Sequence, residues 1–268
     1  MMVPMRIARF VVDAEPQYGL VEGETDAPWE ELTVTALHGD PFFQGVQPTS
    51  RTHALEEVRL VAPIIPRSKV VGIGRNWADH AAELGNEVPS RPMMFLKPNT
   101  SVVGPGEPVT LPSWSEEISY EAELAVVIGT ICKDVPRDRV DDVVFGYTVA
   151  NDLTARDAQR ADGQWARAKG FDGACPLGPW IETGLKVADT EDLQITTRLD
   201  GELVQDGTTA DMVFGVAELV STVSEAFTLL PGDVILTGTP AGVGLVREGQ
   251  RVECAADAIG SLATVFRR

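Results

Sequence analysis

Cysteine is scarce in this chain: Cys132, Cys175 and Cys254 are the only three in 268 residues. They are odd in number, far apart and without a C-x-x-C pair. That excludes a disulfide framework and a zinc ribbon, and leaves them as buried, small apolar residues. Long hydrophobic runs are also missing. No stretch approaches the roughly 18 apolar residues a membrane helix needs, and Met-Met-Val-Pro-Met-Arg at the amino terminus lacks the basic, apolar, small-residue order of a signal peptide. A soluble, cytoplasmic protein with no membrane partner is expected. Positive charge is short as well: 22 Lys and Arg stand against 40 Asp and Glu, a formal net charge of -18. Nucleic acid is therefore excluded as a partner, and an anionic substrate would need a locally positive pocket. The signatures G-x-S-x-G, H-E-x-x-H and the P-loop are absent, and Gly72-Ile-Gly74 lacks the third glycine of a dinucleotide-binding turn.

What is present is enough apolar residue, 44% of the chain, to bury a sizeable core. Ala62-Pro-Ile-Ile-Pro-Arg-Ser68 reads as a linker, dividing a small amino-terminal domain, 1–62, from a larger one, 63–268. In the first, Met5–Val12 and Tyr18–Val21 suggest a hairpin. In the second, short apolar runs alternate with Gly, Pro and Asp turns: 70–73, 93–96, 124–128, 145–150, 195–199 and 234–237. Asp200-Gly201 and Asp206-Gly207 read as hairpin turns. Residues 216–228 form the clearest amphipathic helix, ended by Pro231 and Gly232. Helices are few, so the fold class is mainly β with short helices, and a doubly wound βαβ sheet is disfavoured.

The run Ile118–Gly129 places two carboxylates in an apolar strand. Side chains at i and i+2 share a face, roughly 6.5 to 7 Å apart along the strand. Glu121 and Glu123 are therefore neighbours, opposite an apolar row of Tyr120, Ala122, Leu124 and Val126. Two ionised carboxylates held together repel, so either one keeps a proton or a cation lies between them. A solvated face is the alternative that this segment alone leaves open.

Two further constellations bear on it. Arg75–Leu84 reads as a short helix between flexible joints, Gly72 and Gly74 before it and Gly85-Asn86 after. On it, His80 and Glu83 are neighbours at i and i+3, so the carboxylate can orient the ring and raise the basicity of its other nitrogen. An ordinary surface pair is the alternative. In Val149–Arg160 a strand runs into a helix with Asp152 at the junction, either capping the helix or completing an all-oxygen site for Mg²⁺, Mn²⁺ or Ca²⁺. Arg156 and Gln159 then face the same pocket. Lys169, among small residues, suits a substrate carboxylate, with a solvated basic face as the alternative.

Together these segments resemble the fumarylacetoacetate hydrolase family: R-N-W-A-D-H-x-x-E at 75–83, F-L-K-P-N-T at 95–100, E-A-E at 121–123, N-D-L-T-A-R-D at 151–157, A-K-G-F-D at 168–172 and L-T-G-T-P-A-G-V-G at 236–244. The resemblance covers roughly residues 66–268, with Trp77 where many relatives carry Tyr. It implies a mixed β-sandwich roll with a small amino-terminal domain, usually a homodimer. It also implies Glu121, Glu123 and Asp152 as ligands of Mg²⁺ or Mn²⁺ (Ca²⁺ in crystals), and Arg156, Gln159, Lys169 and Thr239 as substrate-binding residues. His80 and Glu83 match a catalytic dyad on a lid, with Lys169 beside the reaction. The bacterial subgroup that Gly163–Gly170 looks most like holds oxaloacetate decarboxylases and 2-hydroxyhepta-2,4-diene-1,7-dioate isomerases.

The expected function is C–C cleavage of a small 2-oxo acid through a metal-stabilised pyruvate enolate, by hydrolysis of an acylpyruvate or by decarboxylation of oxaloacetate. An isomerase or decarboxylase of aromatic breakdown is one alternative. A catalytically silent, dimeric metal- or carboxylate-binding member is the other.

Overall fold

Ile7, Ala8 and Phe10 are fully buried, and the strand that carries them, Arg6–Val11, lies mid-sheet between Pro16–Glu22 and Cys175–Glu182. The hairpin expected near the amino terminus forms and continues directly into the larger body through the pairs Arg6↔Glu182 and Ile7↔Ile181. The computed structural model describes residues 4–24, 27–83, 85 and 87–268. Asn86, part of the predicted joint after the His80 helix, and Leu84 lie outside the described residues.

Among the described residues three sheets form, of twelve, five and three strands. The largest runs, in spatial order, from Pro48–Ala54 at one edge through the amino-terminal strands, then Cys175–Glu182, Val144–Asn151, Ala122–Ile128, Val234–Leu236 and Val70–Gly74, to Met93–Lys97 at the other edge. The five-stranded sheet is built on Gln194–Leu199, Arg251–Ala256 and Gly260–Arg267. Between the two lies the main core: Leu124, Val126 and Ile128 pack with Ile195, Val252, Leu262 and Phe266. The helix Val216–Ala226 adds Leu219, Val220 and Val223. The expected mainly-β sandwich is what forms.

Every residue of Ala122–Ile128 is buried. Leu124 and Val126 face the sandwich core, while Ala125 and Val127 pack on the other side with Ile7, Ile181 and Leu236. A strand covered on both faces reads as a continuous apolar run, which is what this segment is. Removing a buried side chain such as Leu124 by substitution with Ala costs about 2–5 kcal/mol.

Of the two expected hairpin turns, one forms and one does not. Asp200-Gly201 is a turn with both residues at positive φ, 50° and 90°, joining paired strands at Leu199↔Glu202. Asp206-Gly207 is not a turn but lies within the strand Glu202–Thr208, opposite Thr196 and Ile195. Tertiary pairing overrides the local preference there. Among the cysteines, Cys175 and Cys254 are buried and free as expected, whereas Cys132 is only partly covered.

Candidate active site

The apolar segment 118–128 is two strands, not one. Ile118–Tyr120 belongs to the small sheet and Ala122–Ile128 to the large one. The chain changes sheets at Glu121. The two N–H groups at this break are taken by buried side-chain amides: Asn151 Oδ1 accepts from Glu121 N at 3.0 Å, and Gln205 Oε1 accepts from Ala122 N at 3.2 Å. A buried donor left unpaired would cost about 1–3 kcal/mol, so these amides hold the geometry that aims both glutamates.

Glu121 and Glu123 are 3% and 2% exposed, which removes the solvated-face alternative. Asp152 is equally buried and follows the strand Val144–Asn151. It does not cap the helix Arg156–Ala161, whose N-cap is Ala155 without a side-chain bond. One oxygen from each of the three carboxylates lies within 4.8 Å of the others.

Cations surround two of the three. Lys169 Nζ donates to Glu121 Oε2 at 2.5 Å and to Asp152 Oδ2 at 2.6 Å. Lys97 Nζ donates to Asp152 Oδ1 at 2.6 Å and to the Lys169 carbonyl, and Arg156 donates to Glu121 Oε1. Burial pushes Glu121 up, but Lys169, Arg156 and His80 pull it further down, well below the usual carboxylate range. Lys169 goes the other way: burial lowers it, and Asp152 and Glu121 more than reverse that, so it stays charged. Its burial, 3% exposed, excludes the solvated basic face.

Glu123 has no such partner. Among the described residues no cation pairs with it, and its recorded hydrogen bond comes from Gly238 N at 2.6 Å. Burial, then the charges of Asp152 and Glu121, push it well above 4.5. A proton or a divalent ion must therefore serve Glu123. Three hard oxygen donors converging in a buried site fit Mg²⁺-type or Mn²⁺-type ions, which favour carboxylate over sulfur or imidazole ligands. The buried Glu/Glu/Asp group is thus of the kind that holds a divalent metal.

Beside it opens a cavity of about 300 Å³ lined by His80, Glu121, Glu123, Arg156, Lys169 and Thr239, with Gln159 at its side. Glu83 and Asp152, also predicted, stand behind the lining. The helix Ala78–Glu83 forms where expected, and His80 Nδ1 lies 3.1 Å from Glu83 Oε2. Glu83 also accepts from Gly242 N at 3.1 and 3.3 Å, tying this helix to the Gly238–Gly242 segment. A carboxylate that only accepts makes Nδ1 the protonated nitrogen and leaves Nε2 free to take a proton. Arg156 is steadied by Gln159 Oε1 at 3.1 Å.

The glycine pair that suggested a nucleotide loop has a packing role. A Cβ on Gly72 would meet the Phe95 ring at 2.1 Å, and one on Gly74 would meet Trp165 at 2.6 Å. These two rings pack edge to face, 5.5 Å apart, with Lys169 Nζ 5.2 Å from the Phe95 centroid. Sequence reasoning assigned no role to Lys97, Gln205, Asn151 or Asn76. Lys97, Asn151 and Asn76 had a signal, since each lies inside a motif at 95–100, 151–157 or 75–83; Gln205 had none.

Comparison with known proteins agrees with this geometry. Residues 69–267 match the fumarylacetoacetate (FAA) hydrolase C-terminal family, and residues 5–63 match the Rv2993c-like, N-terminal family. The chain belongs to the fumarylacetoacetate hydrolase family. Protein Rv2993c of Mycobacterium tuberculosis is 45% identical over 258 residues, 96% of each chain. The crystal structure of 2-hydroxyhepta-2,4-diene-1,7-dioate isomerase from Mycobacterium marinum superposes with a TM-score of 0.89 at 41% identity, covering 98% of both chains. A fumarylacetoacetate hydrolase from Exiguobacterium antarcticum gives 0.83 at 32% identity, over 98% of this chain and 100% of that one. Family membership and these enzyme-named neighbours make the chain a family enzyme acting on small molecules. Among the described residues no helix is long and apolar enough to cross a membrane.

Proposed function

We propose that this protein is a Mg²⁺- or Mn²⁺-dependent enzyme that cleaves a C–C bond in a 2-oxo acid. One observation carries this reading: three buried carboxylates converge beside a cavity whose lining includes Lys169, Arg156 and His80, the last bonded to Glu83. Glu121, Glu123 and Asp152 would hold the ion, which would supply Lewis-acid polarisation of a 2-oxo acid and stabilise negative charge developing on it.

The chain's own groups do the rest. Lys169 and Arg156 place fixed positive charge in the cavity wall of a protein whose net charge is -18, which favours an anionic substrate there. Gln159 keeps the guanidinium from turning away, and Thr239 offers a hydroxyl on the opposing segment. In hydrolysis, His80 Nε2 takes a proton from water as that water attacks the distal carbonyl, and the pyruvate part leaves as its enolate. In decarboxylation, CO₂ leaves instead and the same enolate is protonated. Glu83 orients the ring in both.

A second reading, proton transfer between carbons in a 2-hydroxy-dienedioate, is favoured by the 41% identity to the M. marinum isomerase. It uses the same dyad. We further propose a homodimer with residues 1–62 as a small amino-terminal unit, to be checked by analytical ultracentrifugation and limited proteolysis. The deciding assay sets the purified protein with Mg²⁺ or Mn²⁺ against oxaloacetate, an acylpyruvate and the dienedioate. Turnover of either of the first two supports cleavage, and turnover of the third alone supports the isomerase. If none is consumed and Glu121→Ala leaves metal affinity unchanged, the metal-enzyme reading is wrong.

A further inference from the structure

A threonine hydroxyl has one proton, and where it points decides what the hydroxyl can recognise. Thr239 lines the cavity and is 3% exposed. Its direction is governed by Gln205, a residue 1% exposed on the strand Glu202–Thr208. Two backbone groups with no choice of role fix the Gln205 amide. Ala122 N can only donate, so Oε1 faces it at 3.2 Å; the Pro240 carbonyl can only accept, so Nε2 faces it at 2.8 Å. Thr197 Oγ1 donates to Oε1 as well, at 2.6 Å. The second amide hydrogen then meets Thr239 Oγ1 at 2.9 Å. Thr239 is therefore an acceptor towards Gln205, and among the described residues no protein acceptor takes its own proton.

We infer that Gln205 is a positioning residue that makes Thr239 a donor towards the cavity, so that this wall recognises an acceptor oxygen of the ligand, a carboxylate or keto oxygen, and disfavours a donor. The same amide ties Thr239 to Ala122, the residue between Glu121 and Glu123, while Gly238 N ties the segment to Glu123 itself. Donor and carboxylates thus hold a fixed separation. This inference rests on the cavity being the 2-oxo acid site.

The test titrates oxalate calorimetrically into the Mn²⁺-loaded protein, with melting temperature and Mn²⁺ affinity measured alongside. Thr239→Val should weaken oxalate on the order of 10- to 100-fold, the range for a lost hydrogen bond to a charged group, while Thr239→Ser stays near wild type. Gln205→Met removes the donor without adding charge; at saturating Mn²⁺ it should weaken oxalate several-fold, and have no effect on oxalate once Thr239 is Val. A role limited to stability would lower melting and leave oxalate affinity alone, or give equal losses in both backgrounds; either result overturns the inference. If Gln205→Met does not fold, Gln205→Glu carries the same comparison, because its carboxylate draws the Thr239 proton to itself and the loss should be larger with Thr239 present than with Val. Failure of the wild type to bind oxalate overturns the site reading and this inference with it, whereas a Gln205 variant that binds like wild type, while Thr239→Val does not, overturns this inference alone.

Discussion

Lys97→Met tests the electrostatics of the site most directly, because it deletes a charge and keeps the apolar stem. Lys97 Nζ is fully buried, donating to Asp152 Oδ1 at 2.6 Å and to the Lys169 carbonyl. In the native cluster three carboxylates, Glu121, Glu123 and Asp152, face three cations, Lys97, Arg156 and Lys169. The substitution makes that group one charge more negative, without water to screen it. Removing one partner of a buried pair costs about 3–5 kcal/mol where the other charge is left uncompensated; Asp152 keeps Lys169, so the lower end of that range is expected. For a chain of this size that is a fall in melting temperature on the order of 10 °C. The measurement is thermal and urea unfolding in chelator, repeated with excess Mg²⁺ or Mn²⁺. A divalent ion among the same carboxylates offsets the excess charge, so the variant should gain more from metal than wild type does and the gap should narrow. A variant as stable as wild type in chelator would refute the charge argument. An equal deficit with and without metal would refute the placement of the ion.

Three further outcomes follow from the same geometry. Glu123 has a folded pKa raised above 4.5 by burial and by Asp152 and Glu121, so the folded state binds the extra proton: its contribution to stability is present below pH 4.5 and is lost as pH rises through the raised value. Unfolding of metal-free wild type and Glu123→Gln should diverge in that direction, and calorimetry in buffers of differing ionisation enthalpy should show proton release when metal binds; no release would contradict a protonated Glu123. His80→Ala should lower turnover on the order of 10²- to 10⁴-fold while oxalate and Mn²⁺ affinities stay unchanged; unchanged turnover would point to a silent binding protein. Burial pushes the Cys175 and Cys254 thiols up to about 12, so a disulfide reagent should find only the partly exposed Cys132 in the native protein and all three cysteines after denaturation.

The parts legible in the sequence share one property: their signal is local. Apolar runs at 70–73, 124–128 and 145–150 marked the strands that form as Val70–Gly74, Ala122–Ile128 and Val144–Asn151, because a strand buried on both faces declares itself residue by residue. His80 and Glu83 could be paired on paper since helix geometry alone brings i and i+3 together. Lys97 and Gln205 could not, because their partners lie far along the chain: Lys97 meets Asp152 across 55 residues, and Gln205 meets Ala122 across 83. Asp206-Gly207 misled for the same reason, its strand state being imposed by the facing strand.

The carboxylates show what long-range information changes in the argument itself. From the sequence, repulsion between Glu121 and Glu123 called for a proton or a cation, and any cation would have answered. In the folded protein Lys169 and Arg156 already neutralise Glu121, and Lys97 and Lys169 neutralise Asp152. Summed charge therefore gives no reason for a metal. Distribution does: Glu123 is left with the Gly238 amide, buried beside two anions whose cations bond to them and not to it. An ion that shares Glu123 with Glu121 and Asp152 relieves the one carboxylate the protein does not pair. In doing so it competes with Lys169 for the other two, so metal loading should loosen the Lys169 ammonium from Glu121 and Asp152 and free it for an incoming carboxylate. Substrate and metal would then bind with positive coupling, and oxalate affinity measured with and without Mn²⁺ reads that coupling; equal affinities would show that Lys169 is never released.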